Sequence, residues 1–241
     1  MGVTTQFDMV GGTTRYGLFD DFLGAVINPT FGGVSTNSGT AAIVVAQEDG
    51  VVGLITGATN GNYSLLTTGL NYKANSGGMV MEAGVAPITN LTGQDIFVGF
   101  TDTVGGESPF TLSGVTLTSN ATDAVGLLWS SAGTASANWY AVSVKGDADG
   151  SVTPITTNAL VAGTFQAIRV EVNTNGDAYF FINGTQVGMD NLASARGQTG
   201  RLNAITTTVA MTPIAANATN TGSAARTAYV DYMYVQKGRK N

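Results

Sequence analysis

The sequence predicts an all-β sandwich of two antiparallel sheets, and three observations carry that expectation. Short runs rich in β-branched and aromatic residues recur along the chain, punctuated by Asn-Gly, Gly-Gly, Asp-Gly and Gly-Thr. Helical periodicity is hard to find. Where a run alternates, it does so with the two-residue period of a strand that has one wet face, as Ile168, Val170 and Val172 do against Arg169, Glu171 and Asn173.

In chain order the predicted strands are RYGLFDDFLG (15–24), AAIVVAQ (41–47), VVGLITG (51–57), GMVMEAGV (78–85) and DIFVGFTD (95–102). DAVGLLWS (123–130), NWYAVSVK (138–145), FQAIRVEVN (165–173), DAYFFING (177–184) and AYVDYMYVQ (228–236) follow. Asn175-Gly176 and Asn183-Gly184 supply the positive φ angles that two-residue hairpin turns need, so residues 165–188 read as a three-stranded meander. In the last strand, Tyr229, Asp231, Met233 and Val235 alternate with Val230, Tyr232 and Tyr234. Residues 103–122 read as a long loop or an excursion with one short strand, and 213–226 as a low-complexity stretch. Residues 1–14, rich in Gly and Thr, read as an extended arm ahead of a single domain over 15–241.

Composition narrows the function classes. The 241 residues suffice to bury a large core without a covalent staple. Only 11% are charged and 33 are glycine, so the surface relies on neutral Thr, Asn and Ser groups rather than ion pairs. Cysteine and histidine are both absent, which excludes disulfides, thiolate metal sites and every Ser–His or Cys–His nucleophile system. A net charge of −6 argues against a nucleic-acid partner. The one basic cluster, Lys237, Arg239 and Lys240, reads as a solvated tail. The N-terminus lacks the basic and apolar regions of a secretory signal, and no apolar run approaches the roughly 18 residues of a membrane span. The expectation is a protein made and kept soluble, with no membrane partner.

Three stretches carry a family resemblance: FDDFLG (19–24), RVEVNTNGDAYFFINGTQVG (169–188) and AYVDYMYVQ (228–236). Their order resembles the concanavalin A-like jelly roll of legume lectins, laminin-G-like domains and laminarinase-type glucanases. Within that fold, DIFVGFTDT (95–103), DAVGLLWSSAGTASANWYAVSVKG (123–146) and YVDYMYVQK (229–237) resemble segments of bacteriophage virion proteins, many of them capsid decoration or other auxiliary structural proteins. The resemblance implies a fold rather than an activity.

No catalytic pattern stands out. A retaining glycosidase needs two carboxylates about 5 Å apart, and the glucanases supply theirs from alternating positions of one strand. Glu82, Glu171 and Asp231 each stand alone, and the adjacent Asp20 and Asp21 point to opposite faces of a strand. The expectation is a non-enzyme without cofactors. In KGDADGS (145–151), Asp147 and Asp149 resemble the start of a calcium loop, but the late bidentate glutamate is missing and a simple turn is the preferred reading, so no metal site is assigned.

A sugar site has one candidate constellation. Trp129 ends one strand and Trp139 and Tyr140 begin the next, with Asn138 beside them. Aromatic rings and an amide at one rim of a sandwich are what a lectin would use. The competing reading is packing, where large aromatic side chains usually go.

The surface chemistry of an extracellular β protein, combined with no export signal and no disulfides, fits a virion protein assembled in the host cytoplasm. The expected function is capsid decoration: a homo-oligomer, with a trimer suiting a threefold position, docks on the major capsid protein and stabilises the shell. The alternative is a carbohydrate-binding module recognising host glycans through Trp129, Asn138, Trp139 and Tyr140.

Overall fold

A computed structural model describes residues 15–24, 26–27, 33–44, 50–69, 71–88, 91–103, 108–150, 152–188, 201, 203–222 and 224–238. The arm expected over 1–14 lies outside these residues.

The described residues form eighteen strands and one short 3-10 turn. They begin with β1 (Arg15–Asp20), β2 (Gly33–Asn37), β3 (Thr40–Ile43), β4 (Val52–Ile55), β5 (Tyr63–Thr67) and β6 (Met79–Pro87). The middle of the chain supplies β7 (Gln94–Thr101), β8 (Phe110–Ser113), β9 (Thr116–Ser119), β10 (Asp123–Ser130), β11 (Trp139–Lys145) and β12 (Ala148–Asp149). The last six are β13 (Thr153–Ile155), β14 (Gln166–Val172), β15 (Ala178–Ile182), β16 (Thr185–Val187), β17 (Thr212–Thr219) and β18 (Thr227–Gly238).

Two eight-stranded sheets stack on each other. The first runs β16-β15-β14-β6-β18-β4-β3, with β1 also on β18. The second runs β12-β11-β10-β7-β17-β5-β2, with β13 also on β11. Neighbouring strands are antiparallel throughout, including the β8–β9 hairpin that stands apart from both sheets. Between the sheets lies the main core, where Leu54, Met81, Val170, Phe180 and Met233 of the first sheet belong to one cluster with Val98, Phe100, Leu127, Trp129 and Trp139 of the second.

A second core covers the outer face of the second sheet. Phe97, Leu128, Tyr140 and Val142 pack there with Phe110, Leu112 and Leu117 of the β8–β9 hairpin. Phe97 meets Phe110 edge to face, with ring centroids 5.4 Å apart. The Phe97 ring also lies over the paired Gly99 and Gly126, where a Cβ on Gly126 would stand 2.6 Å from it. Two glycines on adjacent strands thus open the slot that the ring fills.

The structure adds β2, β5, β12 and β13, where no strand was expected, and corrects the sequence reading in four further places. The first half of the low-complexity stretch 213–226 belongs to β17, which is buried throughout and flanked by β7 and β5 in the middle of the second sheet. Its polar residues are bonded inward. Asn217 donates to the backbone oxygens of Leu54 at 2.8 Å and Arg226 at 3.0 Å, and accepts from Gln94 at 2.7 Å. Thr219 and Thr56 share a hydrogen bond of 2.6 Å, and Thr212 bonds Thr67. Residues 103–122, expected as a long loop or an excursion with one short strand, contain the two strands of the β8–β9 hairpin.

The third correction concerns a turn. Asn183 and Gly184 both have positive φ, 51° and 76°, and link β15 to β16 as expected. At Asn173–Asp177 only Gly176 does, at 82°, because the connection is a longer loop closed by Gly176 N–H donating to Asn173 O at 3.1 Å.

The fourth correction is a β-bulge in β18. Pairing with β6 slips between Val230 and Met233, so Asp231 and Tyr232 together oppose Gly84. The extra residue inverts the alternation beyond it. Val230, Met233 and Val235 face the core, while Tyr229, Tyr232 and Tyr234 are half-buried on the outer face.

Candidate functional site

The four predicted sugar-binding residues do not form a surface. Trp129 and Trp139 are cross-strand partners on β10 and β11, both 0% exposed, with their rings in the inter-sheet core. The Trp139 indole donates to Gln166 Oε1 at 2.7 Å, while the Trp129 indole N–H is buried without a partner among the described residues. Tyr140, next in sequence, faces the other way into the second core, is 1% exposed, and accepts from Ala135 N–H at 2.7 Å. Asn138 sits half-buried in the preceding turn, its N–H bonded to Ala135 O at 2.8 Å. A sugar cannot stack on rings that both sheets and the hairpin cover. The rim constellation is therefore packing.

Asp147 lies at a turn. Gly146 and Asp147, with φ of 55° and 63°, form the two-residue link between β11 and β12. Among the described residues no group of three or more acidic side chains is placed to hold a metal ion.

A different residue marks the best candidate site. Asp95 is the second residue of β7 and lies on the outer face, two positions before Phe97. Its cross-strand neighbours are Ser130 on β10 and the small Ala218 on β17. The carboxyl is 2% exposed. Asn220, just past β17, donates its side-chain amide to Asp95 Oδ1, and the Ser130 hydroxyl also bonds the carboxyl. Burial dominates over these two hydrogen bonds and pushes the Asp95 carboxyl up to about 7.

The amide that meets Asp95 is itself held rigidly. Asn220 accepts from the Ser131 hydroxyl at 3.2 Å, its Nδ2 also donates to Gln94 O at 3.1 Å, and its N–H bonds Gly93 O at 3.1 Å. The Ser131 hydroxyl in turn accepts from Gly93 N–H at 2.8 Å.

Asp95 and Asn220 line a cavity of about 300 Å³, the lower end of the range for small-molecule sites. Part of its lining comes from the β8–β9 hairpin. The hairpin's alternation puts Phe110, Leu112 and Leu117 into the second core and leaves Thr111, Ser113, Thr116 and Thr118 exposed on the other face, and residues of both faces, Leu112 among them, border the cavity. Thr111 pairs with Thr118 and Ser113 with Thr116, so the hairpin's exposed face carries four hydroxyl residues in two cross-strand pairs beside the cavity. The hairpin tip is anchored by Gly114 N–H to Ala132 O at 2.8 Å and Thr134 N–H to Gly114 O at 3.0 Å. One hairpin thus closes a core with one face and leaves its hydroxyls exposed on the other, beside the cavity.

The outer face of the first sheet offers a second, open surface. Arg169 pairs with Glu171 at 2.6 Å and lies 3.6 Å from Glu82, joining two carboxylates that stand alone in the sequence. Tyr232 donates to Glu82 at 2.7 Å and its ring lies over Gly84. A depression of about 240 Å³ beside it includes Glu171, Asn173 and Tyr179.

No protein-family model matches the sequence, and comparison with curated proteins finds no match. Solved structures do resemble it. A protein of unknown function from Shewanella oneidensis MR-1 is 12% identical with a TM-score of 0.63, over 97% of this chain and 91% of that one. The β-glucanase of Bacillus licheniformis is 11% identical with a TM-score of 0.55, over 94% and 99% of the two chains. The carbohydrate recognition domain of Emp47p is 11% identical with a TM-score of 0.54, over 93% and 95%. The fold is the concanavalin A-like jelly roll. At such identities the likeness speaks for the fold alone. On this jelly roll the Asp95 cavity sits at one end of the second sheet, a place sequence reasoning missed. The available signal was a carboxylate opening the otherwise apolar strand DIFVGF.

Proposed function

We propose that the protein is a non-catalytic carbohydrate-binding module and that the Asp95 cavity is its binding site. The observation that carries this reading is the Asp95 carboxyl, steadied by the Asn220 amide, in a cavity of about 300 Å³ whose other described lining residues are all neutral and mostly polar. A carboxylate suits hydroxyl-rich ligands because its two oxygens can accept from neighbouring hydroxyls at once, while the Asn220 amide, occupied by protein partners, holds it in place. A glucanase and a carbohydrate recognition domain share the fold, which supports the reading without assigning a sugar. Asp95 is the single acidic side chain among the described residues lining the cavity, so the two-carboxylate geometry of glycoside hydrolysis has no second member there. None of the structural likenesses bears on a virion, and capsid decoration keeps only the short stretches quoted above.

The test is a glycan array followed by NMR titration of the labelled protein with any hit. Shifts centred on Asp95, Thr111, Thr118 and Asn220 are expected. Binding to no glycan, or shifts confined to the outer face of the first sheet, would overturn the assignment.

A further inference from the structure

We infer that the cavity selects amino sugars, with the ligand's ammonium group seated against the Asp95 carboxylate. The inference rests on the carbohydrate-binding reading and narrows its ligand class.

The geometry supplies the reason. Asp95 is enclosed by neutral partners only, the Ser130 hydroxyl and the Asn220 amide. Every other described residue lining the cavity is uncharged: Asn60 and Gly61 ahead of β5, Ser108 and five residues of the hairpin including Leu112, Ala132 after β10, and Ala218 to Thr221 at the end of β17. The contrast with the first sheet is direct, since Glu82 and Glu171 there share the Arg169 guanidinium. A carboxylate taken out of water without a counter-charge is unfavourable, and the protein relieves it here by holding the proton up to a pH of about 7.

A ligand that brings its own positive charge removes that penalty. An ammonium group offers three donors in a compact volume and forms charge-assisted hydrogen bonds with a carboxylate. An N-acetylated sugar presents a neutral amide in its place and leaves the carboxylate uncompensated. A uronic acid or a sulfated sugar adds a like charge and is repelled. The remaining lining residues are neutral and do not distinguish what the amine carries, so Asp95 supplies the discrimination.

The test compares three soluble β-1,4-linked tetrasaccharides on the full chain at pH 7 and physiological salt: glucosamine, its fully N-acetylated form, and glucose. Calorimetry is expected to show the glucosamine oligomer binding at least about tenfold more tightly than the other two, a gap of about 1.4 kcal/mol. Carboxyl-carbon NMR of the wild-type protein is expected to show the Asp95 titration moving to lower pH when it is bound. Asp95→Asn is expected to abolish the preference. Equal binding of the three, or preference for the acetylated or glucose oligomer, overturns the amino-sugar inference and leaves the carbohydrate reading standing. A preference that survives Asp95→Asn traces to the net charge of −6 and also overturns it. Failure of all three to bind, together with an empty array, removes both. Should Asp95→Asn not fold, the wild-type titration decides alone.

Discussion

The outer faces of the two sheets are built from the same device, an aromatic ring laid over glycine, yet they end in opposite environments. On the second sheet Phe97 covers Gly99 and Gly126 and is itself covered by the β8–β9 hairpin, which makes a second core. On the first sheet Tyr232 covers Gly84 and remains half-buried, its hydroxyl donated to Glu82. Burial and the Glu82 carboxylate hold that hydroxyl above the ordinary tyrosine range, so it stays a donor at any ordinary pH. The difference teaches that a ring on a sheet face becomes core only when another element closes over it. It also explains the choice of ring: phenylalanine where nothing polar is in reach, tyrosine where a hydroxyl can meet a carboxylate or water.

The sharpest way to break the comparison is to remove one ring from each face. Phe97→Ala opens a cavity between two layers that cannot collapse freely and is expected to cost about 3–5 kcal/mol. Tyr234→Ala, on the open face, is expected to cost about 1 kcal/mol. Urea unfolding of both variants measures the gap. Equal losses would mean that the first sheet's face is covered as thoroughly as the second's.

Asp95 tests the same enclosure electrostatically. Its folded-state carboxyl titrates near 7, above its ordinary value of 3.8, so the folded chain holds a proton that the unfolded chain has released over that window. The contribution to stability is therefore full below about pH 4, falls as the pH rises through 7, and is constant above. Asp95→Asn keeps an acceptor for Asn220 and removes the ionisation. At pH 8 the variant is expected to be more stable than wild type by on the order of 3 kcal/mol, and at pH 4 to match it within about 1 kcal/mol. A pH-independent difference in urea unfolding would show that the carboxyl is not enclosed.

How much of this was legible follows from the same contrast. Strands with one wet face announce themselves by alternation, and β14 and β15 were read correctly together with the Asn183-Gly184 turn. Strand β17 could not be. It is buried on both faces, so its sequence TPIAANAT lacks alternation, and its Asn and Thr look like loop residues until Leu54, Gln94 and Thr67 are brought to them from distant parts of the chain. The tyrosine face was misread for a local reason, one bulged residue at Asp231–Tyr232 that inverts the period of everything after it. Trp129 and Trp139 were candidates because a turn joins their strands. Nothing local in the sequence tells that turn-adjacent position from a buried one, since the first sheet that covers both rings is assembled from segments far away. The Asp95 cavity has the same origin, drawing on β7, the β8–β9 hairpin and the end of β17.

A milder probe adds one methyl group to each face. A Cβ on Gly126 would stand 2.4 Å from Val98 O and 2.6 Å from the Phe97 ring, against backbone and against a ring that is itself enclosed. Gly126→Ala is expected to cost about 2–3 kcal/mol, the usual range for overpacking. On Gly84 the methyl would meet the Tyr232 ring at 2.9 Å, but that ring lifts toward solvent. Gly84→Ala is expected to stay within about 1 kcal/mol of wild type. Thermal unfolding distinguishes them, and a larger loss at Gly84 would place a rigid cover over the first sheet.

The smallest expected effect belongs to the charges of the open face. Arg169 binds Glu171 at 2.6 Å and approaches Glu82 at 3.6 Å, with all three side chains partly exposed. Ion pairs in such a position are worth less than about 1 kcal/mol and are screened by salt. Arg169→Met keeps the length of the stem against its neighbours Phe181 and Glu82 and removes the charge. Its loss is expected to be under about 1 kcal/mol at low salt and to vanish near 1 M sodium chloride. A loss of several kcal/mol that salt does not reduce would show Arg169 to be a buried counter-charge. The first sheet would then be enclosed like the second, and the contrast on which the Asp95 site depends, between the Arg169-paired carboxylates of the first sheet and the unpaired Asp95 of the second, would rest on burial alone.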